Sequence, residues 1–142
     1  MIHSIFILSI SGYACILKNK HMQHVFSYLY LFYREVIIEK HWKTLTPRSV
    51  CDTFCALVHR YENRMDVPPL IHTNQYYLIN VLRDDIFVVA VLKQECLPLM
   101  IIEFLHRILN VCHEYFGSVQ ENVIKDNFST VYQVNIISNH KN

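Results

Sequence analysis

Residues 76–117 read YYLINVLRDDIFVVAVLKQECLPLMIIEFLHRILNVCHEYFG, and three signals inside them decide the fold. Ile86 to Leu92 contains no polar residue, so this run suits a strand covered on both faces at the centre of a sheet. Tyr76 to Leu82 precedes it across Arg83-Asp84-Asp85, which is a hairpin pattern. Pro98 to Phe116 then follows a helical period. At roughly 100° per residue, Ile101, Phe104, Leu105, Ile108, Leu109, Val111, Cys112, Tyr115 and Phe116 share one broad arc. Glu103, His106, Arg107, Asn110, His113 and Glu114 share the opposite one. Pro98 sits where a first-turn proline forfeits no hydrogen bond, and Gly117 sits where a left-handed cap is easiest without a Cβ. An apolar arc this wide covers a sheet and still meets a second helix, which predicts a layered α+β domain.

Working outward on the N-terminal side, Val67-Pro68-Pro69 stops any helix, and Leu70 to Thr73 fits a short edge strand beside the prolines. Thr46-Pro47 reads as an N-cap and first-turn proline, opening a helix whose stripe is Val50, Phe54, Leu57, Val58 and Tyr61 and which ends near Asn63. Val36 to Trp42 has strand character. Ile2 to Ile10 is apolar on both faces, as an inner strand is, and Ser11-Gly12 is a turn. Tyr13 to Glu35 has no clean period; it reads as a surface excursion or as a short helix carrying Val25, Tyr28, Leu29 and Phe32. Beyond Gly117, Ser118 with Glu121 is a capping-box pattern, and Ile124, Phe128, Val131 and Tyr132 give a last helix one apolar stripe. The expectation is one domain over residues 1–134, interrupted at 13–36, with a loose tail over 135–142.

The totals exclude several function classes. The chain has 142 residues, enough for one domain with a real core, and a formal net charge of +1 without any basic stripe. Nucleic acid and anionic membranes therefore have no electrostatic case. Two glycines leave no room for a phosphate-cradling glycine loop. Five cysteines without CxxC spacing read as reduced thiols in a cytosolic protein. Ile5 to Leu17 is mostly apolar, but no Lys or Arg precedes it and polar residues interrupt it, so a signal peptide is not expected. No window offers the roughly twenty apolar residues of a membrane span.

The same residues argue against catalysis. The nine histidines are scattered, and His106 and His113 fall on the wet arc of the long helix. Glu103 with Arg107, and Asn110 with Glu114, read as surface pairs one turn apart. Cys51, Cys55 and His59 have i,i+4 spacing and must be weighed as a metal site. Each step of four rotates the side chain about 40°, which sends His59 to solvent while Cys51 edges the core. No enzyme, metal or cofactor is expected, although a cytosolic Cys/His metal protein remains the alternative from another class. A membrane-associated role for Val25 to Tyr33 is a lesser one. Nine tyrosines and eight phenylalanines are better explained by burial, partly in this core and partly against another protein.

Several blocks keep their order along the chain: Met1-Ile2-His3-Ser4, Glu39-Lys40-His41-Trp42-Lys43, Arg48-Ser49-Val50-Cys51-Asp52, Val67-Pro68-Pro69, Phe87-Val88-Val89-Ala90-Val91, Ile102-Glu103-Phe104-Leu105-His106-Arg107, Tyr115-Phe116-Gly117 and Val123-Ile124-Lys125-Asp126-Asn127. Together they resemble the N-terminal longin-like domain of the medium (mu) subunits of adaptor protein complex three. The resemblance implies a five-stranded antiparallel sheet with one helix on one face and two on the other. It also implies a non-enzymatic role in a heterotetrameric vesicle coat, cytoplasmic and peripheral on Golgi, endosomal or vesicle membranes, with cargo sent towards lysosome-related organelles. The implied partner is the large beta-type subunit, with membrane contact only through the complex. Trp42, Tyr61, Tyr115 and Phe116 are the candidate partner-contacting residues, within an apolar patch that outlasts folding. An adaptor small chain or a vesicle fusion regulator shares the fold and is the alternative within the class. Two departures from the family stand out. The segment 13–36 replaces a short hairpin, which puts the second strand and with it a sheet edge in question, and the large β-rich domain that binds tyrosine-based signals is not expected in this chain.

Overall fold

In a computed structural model, residues 2–10, 34–41, 45–131 and 133 are described. The run without polar residues is β5 (Ile86–Leu92), and every one of its side chains is buried. It pairs with β4 (Tyr77–Arg83) across a tight turn in which Asp84 adopts φ 52°, a left-handed conformation that aspartate tolerates better than most residues. On its other side β5 pairs with β1 (Ser4–Ile10), which in turn pairs with β2 (Arg34–His41). β3 (Leu70–His72) closes the far side, giving the order β2-β1-β5-β4-β3, with every pairing antiparallel. β5 is therefore central and β3 is an edge, as the sequence implied.

Alternation along β1 and β5 divides two cores. Phe6, Leu8, Phe87, Val89 and Val91 face α1 (Ser49–Val58), which contributes Val50, Cys51, Phe54, Cys55 and Val58. Phe54 and Phe87 meet edge to face with centroids 5.3 Å apart. Ile5, Ile7, Ile86, Val88 and Ala90 face the other way, against Phe104, Leu105, Ile108, Leu109 and Cys112 of α2 (Pro98–Phe116) and Ile124 of α3 (Glu121–Asp126). One helix thus covers one face and two cover the other. Pro98 stands in the first turn of α2, and Gly117 caps its end at φ 78° with its N–H donating to the His113 carbonyl at 2.8 Å.

The register of β1 with β2 shifts by one residue between Ile7 and Leu8, so Ile37 is bulged and its side chain joins the α2 core. Ile10 and Arg34 are still Cα partners. The second strand is thus in place up to that point, and an intact β2 edge answers the question raised by residues 13–36. The segment 11–33, with the proposed short helix at Val25, Tyr28, Leu29 and Phe32, lies outside the described residues, as do Trp42, Tyr132 and the expected tail 135–142.

Three local readings are corrected. Thr46 does not cap α1: Arg48 holds that position without a side-chain hydrogen bond, and the Thr46 hydroxyl meets Ser4 Oγ at 2.5 Å instead. The helix ends at Val58, so Tyr61 lies beyond it, and the buried stripe is flanked by Cys51 and Cys55 in place of Leu57 and Tyr61. Ser118 forms no capping box. Gln120 precedes α3, and Glu121 accepts a hydrogen bond from Ser9 Oγ in β1 and another from Lys125 Nζ at 2.7 Å.

After a 3-10 turn at Arg64–Asp66, Val67 is extended as the prolines demand. Buried Asn80 fastens this stretch: its N–H donates to the Pro69 carbonyl at 2.9 Å and its Nδ2 to that of Pro68 at 2.7 Å. Among the described residues no helix is long and apolar enough to cross a membrane.

Candidate partner-binding surface

The long helix lies along the sheet, with Phe104, Leu105, Ile108, Leu109 and Cys112 buried against it. Arg83, the last residue of β4, donates from its guanidinium to Asn110 Oδ1 at 2.8 Å, which ties the long helix to the end of that strand. Asn110 is thus engaged by Arg83, not by Glu114. Glu103 and Arg107 do pair as expected, at 2.6 Å.

Tyr115 lies on the same arc as Phe104 and Ile108, both of them buried, yet it is 72% exposed. Its ring is 6.3 Å from that of Phe116, which is half-buried against the α2 core. These two candidates are brought together. Tyr61, 38% exposed, follows the helix on the opposite face of the sheet and so belongs to a different surface, near exposed Met65 and Leu70 in the chain.

Residue reasoning missed Leu97, Leu99 and Met100, which stand exposed at the start of α2. A signal was available for Leu99 and Met100, which fall at angles outside the dry arc; Leu97 shares the angle of Tyr115 but precedes the helix-starting proline. Phe128, expected in the stripe of the last helix, is 47% exposed, while Ile124 and Val131 of that stripe are buried. Single exposed apolar side chains are ordinary; the uncovered continuation of a core stripe at Tyr115 is the more informative feature.

The chemistry-bearing groups converge on nothing comparable. Cys51 and Cys55 both face the sheet, and burial pushes the Cys51 thiol up to about 12, with Cys55 adding to the shift. Cys112 is pushed up to about 11 by burial. Neutral thiols of this kind are poor nucleophiles and poor metal ligands. His59 is half-buried rather than turned to solvent, and burial followed by the nearby Arg64 charge lowers its pKa. Among the described residues, no three His, Cys, Asp or Glu side chains are grouped so as to hold a metal ion.

A recess of about 280 Å³ opens beside the first half of α1, lined by Leu8, Ser9, Val36, Arg48, Cys51, Asp52 and Cys55. Arg48 on its rim is engaged by Glu39 at 2.9 Å. A Ser–His contact does occur, Ser4 Oγ to His41 Nδ1 at 2.7 Å, but Ser4 is wholly buried and its hydroxyl also meets Thr46, so no substrate carbonyl can reach it.

No family model matches the sequence. Over 134 residues, 94% of the chain, it is 40% identical to AP-3 complex subunit mu-2 of Homo sapiens. It is 37% identical, again over 134 residues, to AP-3 complex subunit mu-1 of Bos taurus and of Gallus gallus. The chain spans about 27% of the length of these relatives.

Proposed function

The chain is a homologue of AP-3 complex mu subunits, and from that premise we propose that it is a non-enzymatic assembly module of a heterotetrameric vesicle-coat adaptor. In this reading it docks on the large beta-type subunit, works in the cytoplasm at Golgi, endosomal or vesicle membranes, and serves transport towards lysosome-related organelles. The observation that carries the reading is sequence identity of 40% sustained across 94% of the chain. The fold agrees with it: both sheet faces are covered by helices, and the apolar surface left over, at Tyr115, Phe116 and the start of α2, suits contact with protein.

Co-expression with an AP-3 beta-type large subunit tests the proposal. The chain should co-purify with it at equal stoichiometry, both intact and with residues 11–33, which precede β2, replaced by a short turn. If neither form is retained, the assignment fails; if only the shortened form is retained, docking is supported and the inserted segment is shown to block it.

A further inference from the structure

β3 is an edge of the sheet, and its backbone carries an alternation that the rest of the fold does not use. Ile71 pairs with Leu78, and on either side of it the Thr73 N–H donates to the Tyr76 carbonyl and the Asn80 N–H to the Pro69 carbonyl, each at 2.9 Å. Hydrogen-bonded and non-hydrogen-bonded pairs alternate along an antiparallel ladder, so Pro69, Ile71 and Thr73 turn their backbone groups towards β4. Leu70 and His72 therefore turn theirs away from the sheet, and no described residue hydrogen-bonds to them there. Leu70 is 40% exposed, and His72, whose ring stacks on that of Tyr77 with centroids 4.6 Å apart, is exposed as well. The edge is open to approach, and it contains no Lys, Arg, Asp or Glu to repel a partner strand.

We propose that β3 pairs with β3 of a second copy of this chain, antiparallel about a twofold axis at Ile71, so that one sheet runs through both copies. The edge selects its own copy because it is complementary to itself, and in a single register. With Ile71 on the axis, Leu70 of each copy lies opposite His72 of the other, and each such pair exchanges two hydrogen bonds, N–H to C=O in both directions. Every outward group is then used. An axis at Leu70 would set His72 against Pro68, which has no N–H and whose carbonyl already accepts from Asn80 Nδ2 at 2.7 Å. An axis at His72 would set Leu70 against Asn74, in the bend that carries the chain back into β4. Pro69 does no harm, because its missing N–H lies on the side of β4. The prolines thus confine the pairing to the three residues of β3 and exclude the open-ended stacking that a long edge invites. The side chains agree with this register. Strand alternation puts Leu70 and His72 on the α2 face with Ile79 and Tyr77, and Ile71 on the α1 face, where it is half-buried. At the axis the two Ile71 side chains form a non-hydrogen-bonded pair, the closer kind, and Leu70 comes beside the His72–Tyr77 stack of the other copy. The contact uses neither Tyr115 nor Phe116, so it stands apart from the docking surface.

The experiment is sedimentation equilibrium of the whole chain, joined to amide exchange resolved to single residues. An edge this short should give a monomer–dimer equilibrium with a Kd on the order of 100 μM. Between about 10 μM and about 500 μM chain, protection of the Leu70 and His72 amides should rise about threefold, while that of Ile71, bonded within the sheet in both states, should not change. Ile71→Lys sets two ammonium groups against each other at the axis, and the folded variant, checked by thermal unfolding, should stay monomeric. A natural chain that is monomeric at the higher concentration overturns the proposal, as does a dimer in which the Leu70 and His72 amides are unchanged or one that survives Ile71→Lys. The exchange pattern of the natural chain decides the matter even if the variant does not fold.

Discussion

Ser9 and Glu121 stand 112 positions apart in the chain, yet one hydrogen bond joins them and ties α3 to β1. Lys125 and then Ser9 hold the Glu121 carboxyl below the usual carboxylate range. A carboxyl lowered in the folded state stabilises the fold above its unfolded pKa, and that contribution disappears as pH falls through the folded value, that is, below about 4.5. Glu121→Gln should therefore cost about 1 kcal/mol or less near neutrality and flatten the acid limb of stability against pH, measured by urea unfolding. His59 works in the other range. Its pKa is lowered by burial and by Arg64, so the unfolded chain takes up the proton first as pH drops. Stability is full above about pH 6.5 and declines below it until the folded-state value is passed. His59→Gln should remove that decline; an unchanged slope between about pH 7 and 5 would show that other groups carry it.

At the scale of elements, α2 carries the argument. Its arc, its proline and its glycine were legible because each depends on neighbours within a few residues. Ile108 is fully buried between α2 and the sheet, and Ile108→Ala should cost about 2–5 kcal/mol in thermal or urea unfolding. At Gly117, an added Cβ meets nothing within 4 Å, so Gly117→Ala tests backbone strain alone, at about 1 kcal/mol. The central place of β5 was equally plain from seven apolar residues in a row. What the sequence concealed were the long-range choices. Thr46 carries capping chemistry but is drawn away by Ser4 from 42 positions distant, and Glu121 is drawn from Ser118 by Ser9. The bulge at Ile37 shifts β2 by one residue without any glycine to announce it. The exposure of Tyr115, on the same arc as buried Ile108, is likewise not encoded in the helix's own period.

The whole molecule is a three-layer sandwich in which the sheet supplies both cores and the helices seal them, leaving no cleft lined by converging reactive groups among the described residues. The pairing of Ile10 with Arg34 means that β1 and β2 meet at hairpin distance whatever joins them. Replacing residues 11–33 with Asn-Gly should thus keep the melting temperature within a few degrees, because loop-closure entropy changes slowly with length. Loss of folding would show that those residues carry core contacts of their own.

The central claim is assembly with a sister subunit, and the direct measurement is titration calorimetry of the purified chain into a purified AP-3 beta-type large subunit. The account predicts saturable 1:1 binding with a Kd of about 1 μM or tighter, weakened at least about tenfold by Tyr115→Asp. No heat of binding at concentrations on the order of 100 μM, from chain shown to be folded, would contradict it.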